Sequence, residues 1–157
     1  MHIVKLPKMN ESEINKALSE GNICRIAFID GDFPYISPFQ YVYLNSTLYF
    51  HFTDYGKKKE ILSRNRNVCV SIEKFEEDLS SYYFISIQGK LTEVKDINER
   101  KQVIKQMMTK AKNKYSPNFL SVHGFEKVKG WDVFSDEKPL KIYKLDNISY
   151  KIGLKSI

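Results

Sequence analysis

Short β-type runs separated by turn residues constrain this chain more than any other feature. Ile23–Ile29 is strand-like and stops at Asp30-Gly31-Asp32, a hairpin-type turn. Tyr35–Leu44 follows, Asn45-Ser46 turns the chain again, and Thr47–Thr53 completes what reads as a three-stranded meander. Val68–Glu73 and Tyr82–Val94 resume the pattern, and Leu140–Leu145 and Ser149–Ile152 read as closing strands. Ten Tyr and ten Phe suit these segments, because aromatic rings pack well on pleated, half-buried surfaces. Two residues interrupt the ladders. Pro38 lacks a donor, which places its strand at an edge, at a bulge, or beside something other than a strand. Gly89 predicts a bulge or a close backbone approach.

Helical signals separate the strands. Asn10 and Glu13 have capping-box spacing before Ile14, Ala17 and Leu18, and Gly21 is placed to end that helix. Lys57–Arg64 carries Ile61 and Leu62 on one side. Asp96 and Glu99 repeat the capping spacing before a helix reaching Lys112, with Val103, Ile104, Met107, Met108 and Ala111 on one face. The order α-βββ-α-ββ-α-ββ predicts an α+β fold, mainly β, in one domain spanning residues 1–157: a small antiparallel barrel with flanking helices. Residues 113–139 give no readable element.

Several function classes lack their parts. The sequence shows no GxSxG, no phosphate loop of the Walker type, no GxGxxG after a strand and no CxxC. His2, His51 and His123 have no metal-ligand spacing, so no metal is expected. Cys24 and Cys69 lie in apolar runs and read as reduced thiols of a cytoplasmic protein. No apolar run approaches the roughly 20 residues of a spanning helix, and the N-terminal stretch lacks a secretory h-region. The net charge of +6 is spread among acidic residues, which favours a solvated basic surface over a nucleic-acid face. Only Gly56–Lys59 is locally dense.

That dense stretch lies in the most informative segment, Leu48–Ser71. An apolar strand ends at His51, Phe52 and Thr53, a turn carries Gly56, and three lysines open a helix. Free backbone N–H groups at a helix start, with lysines beside them, suit a phosphate group. A solvated lysine cluster is the competing reading.

Three segments resemble the pyridoxamine 5′-phosphate oxidase-like FMN-binding split barrels, and within them the 5-nitroimidazole-resistance (nitroreductase-like) branch. Phe33–Tyr43 is similar to the family's Pro-Tyr-Val-x-Pro strand beneath the flavin. Leu48–Ser71 is similar to its succession of His, turn, Gly, two basic residues, helical Leu and Asn-Pro-x-Val-Cys. Tyr82–Met108 is similar to its Tyr-x-Ser-Val-x-x-x-Gly strand and the acidic-capped helix after it.

The resemblance implies a split barrel that binds FMN between two copies of the chain. It implies an FMN-dependent oxidoreductase acting on a small organic molecule, such as a nitro compound or a quinone. Lys57 and Lys58, with Gly56 before them, stand where the family's basic pair holds the phosphate. His51, Phe52 and Thr53 stand beside the ribityl chain and ring, and Ser37, Pro38, Phe39 and Gln40 at the edge of the isoalloxazine. Gln88 lies on the strand that reaches toward the flavin across the dimer interface, and Trp131 suits a C-terminal aromatic offered to the partner's flavin. Arg25, a charge in an apolar strand, suits either the cofactor edge or an outward-facing position. His51 suits proton donation near the flavin or a structural hydrogen bond.

The sequence departs from the family's pattern at three places. Arg66 replaces a proline, and Phe52 replaces a small or hydroxylated residue, a loss that a third lysine, Lys59, would offset. The oxidase's C-terminal Arg-x-His motif is absent, which argues against pyridoxamine phosphate as substrate. Two other classes remain open: a non-catalytic barrel holding haem, deazaflavin or stored flavin, and a nucleic-acid-binding β-barrel.

Overall fold

The computed structural model describes residues 4–118 and 140–156. Helix α1 (Glu11–Glu20) begins at a complete capping box: Asn10 Oδ1 accepts from the Glu13 N–H at 2.9 Å, and Glu13 Oε2 accepts from the Asn10 N–H at 2.8 Å. Its buried residues are Ile14, Ala17 and Leu18, the stripe expected from their spacing. Strands β1 (Ile23–Asp30), β2 (Phe33–Gln40), β3 (Val42–Leu44) and β4 (Thr47–Thr53) follow, then α2 (Lys57–Arg64), β5 (Asn67–Phe75) and β6 (Tyr82–Glu93). Helix α3 (Ile97–Lys114), capped by Asp96, and β7 (Leu140–Lys155) complete the order.

All seven strands form one antiparallel sheet in the order β2-β1-β5-β6-β7-β4-β3. This corrects two expectations. The run Tyr35–Leu44 is two strands rather than one: β2 pairs with β1, and β3 pairs with β4. The chain therefore passes at Tyr41 from one edge of the sheet to the other, which a meander would not do. Only a strongly curled sheet brings its two edges close enough for that step. Likewise, the two closing strands are a single strand, β7, whose register shifts opposite Gln88 and Lys90. Asn147, at φ 47°, supplies the left-handed residue that lets it continue.

The corner at Tyr41 is pinned from both sides. Its hydroxyl donates to Leu18 O of α1 at 3.0 Å, and its N–H donates to Asn22 O at 3.1 Å. Lys110 of α3 donates to the carbonyls of Gly21 and Tyr41 and lies 4.7 Å from the centre of the Tyr41 ring. Gly89 meets both readings of its position: the β6–β7 register shifts there, and a Cβ would lie 2.6 Å from Asp146 O.

Two apolar clusters result. The inner faces of the curled sheet enclose Ile26, Phe28, Phe39, Phe50, Phe52, Val70, Ile85 and Leu91, with α1 over one end. The smaller cluster joins Val103 and Met107 of α3 to Val42, Tyr49 and Ile142 on the outside of β3, β4 and β7. The architecture is a seven-stranded half-barrel with three helices among the described residues. None of those helices is long and apolar enough to cross a membrane.

Candidate functional site

The site forms where the sheet fails to close. On the flank away from β1, β2 has no strand partner among the described residues, and Pro38, opposite Arg25, has no N–H to offer one. On β4, pairing with β3 ends at Tyr49, so Phe50–Thr53 are paired only with β7. These two flanks face each other across the seam. A groove of about 400 Å³ lies there, lined by Ile23, Pro38, Phe39, Gln40, His51, Phe52, Thr53 and Lys58.

Its floor is aromatic. Alternation along the strands turns Phe39, Phe50 and Phe52 inward, leaving Pro38, His51 and Thr53 on the other side. The rings of Phe39 and Phe52 lie 4.8 Å apart, Phe39 meets Phe50 edge-on at 6.1 Å, and Phe52 meets Tyr143 at 4.9 Å. Packing of this kind holds the groove's wall in one arrangement.

One end of the groove is electropositive. Gly56 precedes α2 at φ 87°, a conformation that disfavours any side chain, and no side-chain cap covers the helix start. The first N–H groups of a helix have no acceptor within it, so they are available there to an anion. The three lysines at this start have different surroundings. Lys57 Nζ is 2.9 Å from Asp30 Oδ2 and 5.1 Å from the centre of the Tyr35 ring, drawn toward the β1–β2 hairpin. Lys59 Nζ is 3.1 Å from Asp54 Oδ1 and donates to Asp54 O at 2.9 Å. Lys58 is half-buried, 3.5 Å from Ser37 Oγ and 5.4 Å from the centre of the Phe39 ring, and has no carboxylate partner among the described residues.

The carboxylates that hold the other two lysines stay ionised. A hydrogen bond from Lys57 lowers the Asp30 pKa, with Arg64 adding to it; a hydrogen bond from Lys59 lowers that of Asp54, with Lys141 adding to it.

Of the residues singled out from the sequence, the groove gathers Pro38, Phe39, Gln40, His51, Phe52, Thr53 and Lys58, with Ser37 reached through Lys58. Gly56 sits one residue outside, at the start of α2. Three others lie elsewhere. Lys57 is turned away as described. Arg25 points outward from β1, largely exposed and ion-paired with Glu73. Gln88 is exposed on the outer face of β6, opposite Cys69 and Tyr150. Trp131 lies outside the described residues. Lys59 is committed to Asp54, and Phe52 is core rather than a phosphate contact, which leaves the offsetting third lysine without support. Sequence reading missed Ile23, which lines the groove's rim, and the counter-ions Asp30 and Asp54. Asp30 was visible only as a turn residue; its pairing with α2 exists only once the hairpin folds over.

A larger hollow of about 590 Å³ lies between α1 and the ends of β6 and β7, but the Glu13–Lys155 ion pair on its wall satisfies its own charges. Among the described residues no cluster of three or more His, Cys, Asp or Glu is arranged to hold a metal. Burial pushes the Cys24 thiol up to about 12, which makes it a poor nucleophile.

Comparison with known proteins follows the same geometry. No curated protein matches the chain. Among solved structures it is similar to an FAD-binding protein from Mesorhizobium loti, at TM-score 0.65 and 19% identity over 98% of this chain and 100% of that one. It is similar to the FAD-binding protein from Mycobacterium smegmatis, at TM-score 0.68 and 12% identity over 96% and 100% of the two chains. A protein from Bacteroides thetaiotaomicron described as a candidate 5-nitroimidazole antibiotic resistance protein matches at TM-score 0.64 and 20% identity, over 99% and 94%. At these identities the likeness is one of fold. The sequence model of the family described as pyridoxamine 5′-phosphate oxidase matches residues 10–128, most of the chain and all of the groove, so the chain belongs to that family.

Proposed function

We propose that the seam groove binds FMN and that the protein is a flavin-dependent oxidoreductase acting on a small organic molecule, a nitro compound or a quinone being the favoured classes. The observation that carries this is Lys58: an ammonium without a carboxylate partner among the described residues, beside a helix start with no side-chain cap, at one end of an aromatic groove. A flat, largely apolar ring with a phosphate tail is complementary to that pattern, and the groove's volume falls within the usual range for small-ligand sites, roughly 300–1,000 Å³.

The residues present fit such a group. Lys58 and the first N–H groups of α2 would take the phosphate, and Thr53 and His51 the polar chain beside it. Pro38, Phe39 and Gln40 would border the ring, and the edge of β2, which has no strand partner on this flank among the described residues, offers hydrogen-bond partners along it. When bound, the flavin supplies the hydride or electron transfer. The chain's own part is to position the ring and to keep water from one side of it by the Phe39–Phe52 floor. His51, at the rim, is the residue placed to hold a proton close to the ring. The FAD-binding relatives support a flavin in general; the single unpaired lysine supports the monophosphate.

The groove is open on one side, and we propose that a second copy of the chain covers it. The outer face of β2, β1, β5, β6 and β7 carries the cross-strand row Ile36, Ala27, Cys69, Gln88 and Tyr150, with Ile23 and Ile29 nearby. Ile36 and Ile23 are each 60% exposed. Arg25–Glu73, the one ion pair on the middle of this face among the described residues, is internally neutral. A face without net charge meets a copy of itself without repulsion, although the chain as a whole is basic. Gln88 would then reach the partner's groove.

The test is direct. Purified protein should carry a yellow chromophore, release FMN on denaturation, and run as a dimer at low micromolar concentration. Colourless protein that fails to take up added FMN refutes the reading. A protein whose chromophore has the absorption of haem supports the binding-module alternative instead.

A further inference from the structure

The start of α2 has more positive charge than one phosphate needs, yet most of it is already neutralised. Lys59 and Lys141 converge on Asp54, at 3.1 Å and 3.5 Å, and Lys141 also meets Glu93 at 3.5 Å. On the other flank Lys57 and Arg64 converge on Asp30, each at 2.9 Å. Asp30 is less exposed than Lys57, and Asp54 less exposed than Lys59. Asp54 directly follows Thr53, the last residue of β4 to line the groove, so it stands just past the groove's electropositive end.

We propose that Asp54 is a specificity-determining residue. By holding Lys59 and Lys141 and keeping its own negative charge beside the groove's end, it restricts the site to a flavin bearing a single terminal phosphate and excludes the diphosphate of a dinucleotide. This rests on the flavin reading given above. A monophosphate needs one ammonium and the helix N–H groups, which Lys58 and α2 supply. A diphosphate continues beyond that point. Its second phosphate would meet the Asp54 carboxylate, and the two nearest cations would have to leave that carboxylate to reach it. Asp30 has the same effect at the hairpin side, where Lys57 is the cation withheld.

Removing the Asp54 charge frees Lys59 from the carboxylate, with only the Asp54 carbonyl left to it, and leaves Lys141 with Glu93. The experiment measures flavin affinity by quenching of flavin fluorescence, with FMN, FAD and riboflavin as probes, on the full chain. Wild type should bind FMN tightly and FAD at least about tenfold more weakly. D54N should raise the affinity for FAD relative to FMN by roughly tenfold, the size of one charge-assisted contact, and leave riboflavin unchanged. Asp54→Ser serves if the amide variant fails to fold. E77Q, which removes an equal charge in the β5–β6 turn beyond the far end of β5, should leave the ratio as in wild type. Adding Lys59→Gln and Lys141→Gln to D54N should abolish the gain. A wild type that binds FAD as tightly as FMN overturns the proposal. So does an equal change in FMN and FAD affinity in D54N, or the same ratio change in E77Q. A wild type that binds none of the three probes refutes the flavin reading itself and is thereby distinguished from failure of this selectivity.

Discussion

Replacing Lys58 by alanine should weaken FMN binding far more than replacing its neighbour Lys57. The two residues are adjacent in sequence and equal in charge, so any difference must come from where the fold sends them. Lys57 is exposed and ion-paired with Asp30 at 2.9 Å; to serve a phosphate it would first have to break that pair. Lys58 is half-buried over the Phe39 ring, with only the Ser37 hydroxyl at 3.5 Å near its ammonium. A hydrogen bond to a charged group contributes about 1.5–3 kcal/mol. The groove's open side favours the lower half of that range, and about 1.4 kcal/mol is tenfold. K58A should therefore lose roughly 10- to 50-fold in FMN affinity. K57A removes a surface pair worth about 0–1 kcal/mol and should change FMN binding less than about fivefold. Riboflavin lacks the phosphate, so neither variant should alter its affinity. Titration of both flavins against the three proteins at fixed ionic strength reads all six values. Equal losses in K57A and K58A would refute the assignment, as would a K58A loss shared equally by FMN and riboflavin.

Other consequences of the structure can be checked by denaturant or thermal unfolding. Phe39→Ala removes a buried ring that touches Phe28, Phe50 and Phe52, and should destabilise the fold by about 3–5 kcal/mol while also loosening flavin binding. Gly56→Ala and Gly89→Ala should both destabilise, for different reasons. At Gly56 nothing lies within 4 Å of a new Cβ, so the loss is the backbone strain of φ 87°, about 1–3 kcal/mol. At Gly89 the Cβ would collide with Asp146 O, so β6 and β7 must separate locally, and hydrogen exchange should quicken along that ladder. Lys110 gives a pH signature: burial lowers its pKa to about 8, with Lys114 adding to the shift, against 10.5 ordinarily. The folded state thus binds fewer protons than the unfolded one between those values, so Lys110 favours folding increasingly as pH rises from about 8 toward 10.5. The Cys24 thiol, raised by burial, opposes this in wild type, so the comparison must be with Lys110→Met, in which the Lys110 contribution to the slope disappears.

How much of this could be read in the sequence depends on how local each cause is. The capping box at Asn10, the N-cap at Asp96, the hairpin at Gly31 and the edge position of Pro38 all follow from neighbours within a few residues and are present. At Asp96, however, only the bond from the Glu99 N–H forms, and the Glu99 carboxylate meets Tyr49 and Lys144 instead. The break at Tyr41 was not legible, because no Gly, Asn or Asp separates the halves of Tyr35–Leu44 and only the curl of the whole sheet decides that they pair at opposite edges. The same holds for β7: Asp146-Asn147 looks like a turn, but Gly89 across the ladder lets the strand continue. In the site, adjacency in sequence put His51, Phe52 and Thr53 at one strand end beside Gly56 and the lysines, and the groove is lined by all three strand-end residues. Adjacency could not separate Lys57 from Lys58, since that depends on Asp30 folding over from the β1–β2 turn.

The groove's position has a topological cause. A closed barrel would satisfy β2 and β4 against each other and leave no room between them. Here the chain spends only Tyr41 in crossing between edges, so β2 pairs with β1 and β3 with β4 with no residues to spare for closing the gap. Along the seam the flanks at Ser37–Gln40 and Phe50–Thr53 have no strand ladder among the described residues, and Pro38 removes one donor there. A planar ligand with polar edges can take the place of the missing strand pairing. The aromatic residues that would line a sealed core then become its floor. Because α2 leaves directly from the end of β4, its N–H groups and Lys58 fall at one end of that slot. The split in the barrel thus follows from the step at Tyr41, and the electropositive end of the groove from the step between Thr53 and Lys58.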